Sequence, residues 1–237
     1  MQVRPALCWR KRGVRANEHE AELTVAPALL EMLSLKERLL TGDALYCQRS
    51  VCKQVNDRGG DYLVVVKRNQ QRLCDDIALL FVEPPEDEVF GMAEQRDRHG
   101  DRDEVRRIWV STALEGYLDW PGAVQVCKVE RQVEQRARTT IDVRYAITSR
   151  RAMSAEDLLS RVRGHWAIEN KLHWVRDVTL DEDASQIRKG SAPEVMAALR
   201  NAVLGLLRQA GAKNIAAALR ENGWKPKASL QLLGLCA

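Results

Sequence analysis

The 237-residue chain is 45% hydrophobic and 30% charged, the balance of an ordinary globular protein with enough length for one large domain or a domain with an insertion. No apolar run approaches the roughly 18 residues of a membrane span, and the basic start MQVRPALCWRKRGVRAN has no apolar stretch of the secretory kind. The net charge of +4 allows nucleic-acid binding without demanding it. The six cysteines form no C-x-x-C pair, so neither a zinc knuckle nor a disulfide framework is indicated and reduced thiols in a cytoplasm are the simplest reading.

Residues 26–35 read as a short helix with Pro27 in its first turn. Leu39 and Leu40 open a short strand that ends at Thr41-Gly42-Asp43, with an acid at its carboxyl tip. A helix is expected over 44–57, stopped at Gly59-Gly60. DYLVVVK (61–67) is a buried strand, rich in β-branched residues. Asn69-Gln70 make a turn and 71–82 a helix. Strand–helix alternation of this kind argues for an α/β core with parallel strands.

The run Glu83-Pro84-Pro85-Glu86-Asp87-Glu88 breaks the pattern. Beyond it 103–113, 123–134 and 139–149 predict a mostly antiparallel, β-rich segment, with HGDRDE (99–104) as a polar turn. From Ser154 the chain turns helical, with Ser154 and Asp157 spaced as a capping box. A charged loop (181–190), an amphipathic helix (194–207) and a last small helix (215–221) follow. Three parts are expected: 1–82, 83–150 and 151–237.

Asp43 has two readings. It could hold a metal, since sites in open α/β sheets form at the carboxyl ends of strands, or it could cap the helix that follows. Lys67 ends the next strand at the same edge, as a phosphate contact or a solvated lysine. In RGHWAIENKLHWVRD (163–177), His165, Glu169, His173 and Asp177 recur every four residues and would line one helical face. Three readings stand: a surface histidine pair with solvated acids, a helix-borne metal site, or a single ligand, Glu169, held in place by Trp166 and Trp174 seating the helix on the sheet. Asp43 and Glu169 together suit a two-metal phosphoryl-transfer site, in which carboxylates converge on two hard cations.

NEHEAELTVAPALLEML, LLTGDALYCQ, GGDYLVVVKRNQ, YAITS, HWAIENKLHWVRDVTLDEDASQIRKGSAPE and ALRNAVLGLL carry a resemblance from about Asn17 to about Leu207. In them the chain resembles the insertion-sequence transposases of the H-repeat-associated group, which place a DDE triad on an RNase H-like fold. The resemblance implies an RNase H-like core begun by 1–82, a β-rich insertion over 83–150, and a helical part over 151–237 that completes the core. It implies Mg²⁺ (or Mn²⁺) as cofactor, transposon ends and target DNA as partners, a homodimer as an option, and a bacterial cytoplasmic, nucleoid-associated protein without membrane contact.

Within it Asp43 is similar to the second acid of the triad and Glu169 to the third, both as metal ligands. His165, Asn170 and His173 would support Glu169. Lys67, Arg176, Arg188 and Lys189 would contact DNA phosphates. Val162, His165 and Arg176 stand where related transposases have Tyr, Arg and Lys, and His165 is the group's own variant. Arg68 replaces the Gly of a usual Lys-Gly-Asn-Gln, which would strain a turn that needs positive φ. The first Asp of the triad normally lies upstream, but no aspartate precedes Asp43. The expectation is an N-terminally truncated copy with an incomplete triad and an incomplete two-metal site. The alternatives are a catalytically inactive DNA-binding remnant and a helical His/Glu metalloenzyme.

Overall fold

The structure is a computed structural model and describes residues 22–136, 138–168 and 172–234. It divides into two compact units, one running to His165 and one from Trp166 onward.

The first unit is built on a six-stranded sheet of order β1-β2-β6-β5-β4-β3. After helix α1 (Glu22–Met32), strand β1 (Leu39–Gly42) pairs in parallel with β2 (Asp61–Val66). Between them lie a 3₁₀ turn (Ala44–Tyr46) and helix α2 (Arg49–Asp57), whose Val51, Cys52 and Val55 are buried. Tyr62 to Val66 are buried without alternation, as befits a strand covered on both faces. Helix α3 (Gln71–Val82) follows and buries Leu73, Ile77 and Leu80. α1 starts earlier than expected and takes Pro27 into its interior.

The β-rich segment forms a meander of β3 (Gly91–His99), β4 (Arg102–Ser111), β5 (Gln125–Gln135) and β6 (Arg138–Thr148), each antiparallel to the next. It is no separate patch. β6 pairs antiparallel with β2, from Leu63 opposite Thr148 to Val66 opposite Tyr145, so the sheet is continuous. The seam is locked by polar contacts. Thr148 Oγ1 donates to the Tyr62 carbonyl at 2.6 Å, and the Tyr62 N–H donates to Ser149 Oγ at 3.0 Å. The Tyr62 hydroxyl donates to the Pro121 carbonyl at 2.8 Å.

Helix α4 (Ala155–Ile168) begins where expected, with Ser154 Oγ accepting from the Asp157 N–H at 3.1 Å. Its Ala155, Leu158 and Leu159 pack on Leu63, Ala93, Ile108, Val110, Cys127, Val129 and Ala146, the main core on that face of the sheet.

The second unit is helical. After the undescribed residues 169–171 the backbone winds as a π-helix over Val175–Thr179, with the Leu180 N–H reaching the Val175 carbonyl at 3.0 Å. α5 (Ala192–Gln209), α6 (Ile215–Trp224) and α7 (Pro226–Leu232) follow. Val175, Leu204, Leu207 and Ile215 form its core. Pro226 opens α7 at the position where a missing N–H costs nothing. No described helix is long and apolar enough to cross a membrane.

Two expected outcomes follow from this packing. Leu158→Ala removes a fully buried side chain between α4 and the sheet. It should lower the unfolding free energy by about 2–5 kcal/mol in a urea titration, and a loss below about 1 kcal/mol would contradict the packing. The second concerns Glu104, buried in β4. Burial pushes its carboxyl up, but the hydrogen bond from Arg131 and the charges of Arg106, Arg131 and Arg102 outweigh burial and hold it below the usual glutamate range. A depressed folded-state value gives stability that is present above the unfolded value and lost as pH falls through the folded one. Acid unfolding followed by circular dichroism should therefore lose part of its steepness below about pH 4 in Glu104→Gln.

Candidate functional site at the carboxyl ends of the parallel strands

β1 and β2 run parallel, with Gly42 opposite Val64, so their carboxyl ends open on one edge. Gly42 is buried there, and a Cβ on it would lie 3.0 Å from Tyr46 Cβ and 3.4 Å from Val64 Cγ1. A side chain there would press on Tyr46 as the chain folds back after β1. Asp43 is the next residue and is exposed. Its Oδ1 accepts from the Leu45 N–H at 3.0 Å and caps the 3₁₀ turn. The capping reading therefore holds, and it leaves the carboxylate at an exposed strand tip, a hard oxygen donor of the kind Mg²⁺ takes.

The loop that carries Asp43 is held from the end of β2. Asn69 Nδ2 donates to the Ala44 carbonyl at 2.7 Å. Gln70 Nε2 donates to the Cys47 carbonyl at 3.0 Å and to Gln48 Oε1 at 3.4 Å. These bonds occupy carbonyls at the two ends of the 3₁₀ turn, and the expected helix over 44–57 is split, with Gln48 extended. Asn69 and Gln70 thus do more than turn the chain, a role that the sequence signals only as a polar pair after a strand. Arg68 lies in a 3₁₀ turn and is not among the described residues of positive φ, so the replacement of Gly strains nothing. Lys67, just past β2, is exposed beside this loop.

From the other side, His165 Nδ1 lies 3.1 Å from Thr41 Oγ1. That contact ties the last turns of α4 to the end of β1, two residues before Asp43. Glu169 and Asn170 fall outside the described residues. The expected single helical face from His165 to Asp177 is corrected in one respect: the chain is π-wound at residues 172–173 and over Val175–Thr179, and His173 is half-buried there. Trp174 is 55% exposed and is not a core residue as expected.

Arg176 is buried, and Glu182 takes its guanidinium in a fork: Nε to Oε2 and Nη2 to Oε1, both at 2.5 Å. A phosphate could reach Arg176 only by displacing that carboxylate. Arg188 and Lys189 lie exposed in the loop before α5. Among the described residues no group of three His, Cys, Asp or Glu converges as a metal site. The thiols nearby are not donors in waiting: burial pushes Cys47 up to about 12 and Cys52 up to about 11.

Asn69→Ala should release the Asp43 loop without disturbing the sheet. Amide exchange should quicken at residues 44–47 and stay unchanged in β4 and β5, with a stability loss of about 0.5–1.5 kcal/mol. Uniform exchange across both regions would disprove the clamp.

Comparison with known proteins bears on this edge. The model of the transposase DDE domain matches residues 12–206. YbfL of Escherichia coli (strain K12) is 34% identical over 206 residues, covering 82% of this chain and 53% of its own length. YhhI of the same strain, named as H repeat-associated, is 33% identical over the same shares. YncI of Escherichia coli O157:H7 is 34% identical over 208 residues, 82% of this chain and 52% of its own length. The chain spans about half the length of these relatives. With the family domain matched over most of its residues and an H repeat-associated protein among its relatives, the chain belongs to the DDE-domain transposases.

Proposed function

We propose that this chain is part of a DNA-transposing phosphoryl-transfer enzyme whose metal-binding carboxylates include Asp43 and Glu169, on an RNase H-like core that carries 83–150 as an insertion. One observation carries the reading. The exposed carboxylate of Asp43 stands at the carboxyl edge of the parallel pair, and the Thr41–His165 contact ties α4 to the same strand. Mg²⁺ or Mn²⁺, when bound, supplies activation of the attacking oxygen and stabilisation of the leaving one. The chain's own part is positioning. Asn69 and Gln70 fix the loop of Asp43, and His165, with Asn170 and His173, supports the segment of Glu169. Lys67, Arg188 and Lys189 meet phosphates, while Arg176 braces its own segment through Glu182 and reaches a phosphate only on release.

The test has two parts. Mn²⁺ should broaden the amide resonances of residues 41–46 selectively, and Asp43→Asn should abolish the broadening. Unchanged broadening in that variant would remove Asp43 from the metal site. Strand cutting of duplex DNA with Mn²⁺ should vanish in Asp43→Ala and in Glu169→Ala while salt-sensitive binding persists. Cutting that survives both changes would sink the assignment.

A second reading rests on the composition of this chain's residues: no aspartate precedes Asp43 among them. On that reading the chain binds DNA without cutting it. Binding with no cutting in Mn²⁺ by the unaltered chain would select it.

A further inference from the structure

The two faces of the four-stranded meander carry different charge. Residues directly opposed across antiparallel strands share a face, and alternate residues along a strand do too. On the α4 side, Arg102 and Arg106 of β4 line up with Arg131 of β5 and with Arg138 and Arg144 of β6. Arg163 of α4 joins them by pairing with Asp97 at 2.7 Å. Against these six guanidiniums the described side chains of this face set three carboxylates: Asp97, Glu104 and Asp142. The opposite face is balanced, with Arg96, Arg98, Arg107 and Lys128 against Glu94, Asp103, Glu130 and Glu134.

Exposure sharpens the asymmetry. Glu104 accepts from Arg102, Arg106 and Arg131, yet only 6% of its side chain is exposed. Its partners Arg102 and Arg131 are 38% and 39% exposed, and Arg163 is 43% exposed. The main anchoring carboxylate is hidden, and two of its three arginine partners are more than a third exposed, with Arg106 less so at 21%. One buried acid fixes several arginines in place, which spares them part of the entropy of ordering when they meet a ligand. Arg presents a rigid planar fork suited to phosphate.

We propose that this arginine face of β4, β5 and β6 docks the phosphodiester backbone of duplex DNA. The rows of like-facing residues repeat about every 6.6 Å along the strands, so several phosphates can be met at once, and the contact is sequence-independent. The surface spans β4, β5 and β6 and, at Arg144, adjoins the end of β2 that leads to Lys67. The inference rests on the reading that DNA is the partner of this chain.

Two double charge reversals change the net charge equally. R138E/R163E alters the arginine face and R96E/R98E alters the balanced one. Binding of the full chain to a short random-sequence duplex is followed by fluorescence anisotropy across a salt series, with circular dichroism to show that each variant is folded. The expected result is a log–log salt slope reduced by about two for R138E/R163E and unchanged for R96E/R98E. If R138E/R163E fails to fold, R138E alone should reduce the slope by about one. Equal weakening by both doubles, or by neither, with binding intact in the unaltered chain, overturns the docking face and leaves DNA binding standing. An unaltered chain that binds an acidic peptide but no duplex overturns both.

Discussion

The pairing of β2 with β6 is the join on which the rest of the first unit depends. β2 is the last strand of the parallel pair and β6 the last strand of the meander, and Val64 opposite Ile147 lies fully buried in the seam. Without it the short β1–β2 pair would have nothing to extend it into a sheet, and a two-stranded sheet is marginal alone. The side chains of Thr148 and Ser149 bond the backbone of Tyr62 at this join, so register is fixed by polar geometry as well as by packing. A one-residue slip would turn the buried set of β6 to the wrong face.

That join also bears on how α4 is placed. α4 packs over the meander and over Leu63 of β2, and its later turns then meet Thr41. The helix is therefore positioned by strands that lie far from Asp43 in sequence. The Asp43 loop itself is held by short-range contacts from Asn69 and Gln70. One side of the candidate site is local and the other depends on the whole sheet.

Much of this is legible in the sequence, for stated reasons. The tip Asp43 and the buried strand DYLVVV announce themselves by an acid after an apolar run and by β-branched density. The helix from Ser154 is announced by its cap. Strand β3 escapes notice because GMAEQRDRH is polar on both faces, so no alternation separates core from solvent at the sheet's edge. The split of 44–57 is hidden because it depends on side chains more than twenty residues downstream. The π-winding after residue 171 has no periodic signature, since a shift of one hydrogen bond leaves the apolar spacing nearly intact. Arg176 reads as a surface cation in any charge count. Only the fold of 176–182 shows it buried under Glu182, and the proposed triad role of Glu169 rests on resemblance to a family, not on spacing.

The charged edge strand has a consequence for how the protein behaves in a crowded solution. β3 ends the sheet, and the edge of a sheet is a ready template for a strand from another molecule. Here Glu94, Arg96, Asp97 and Arg98 occupy that edge and are engaged in ion pairs with their neighbours. An incoming strand would have to desolvate or displace those pairs before its backbone could bond. The meander can therefore end in an open strand and still resist pairing edge to edge into fibres.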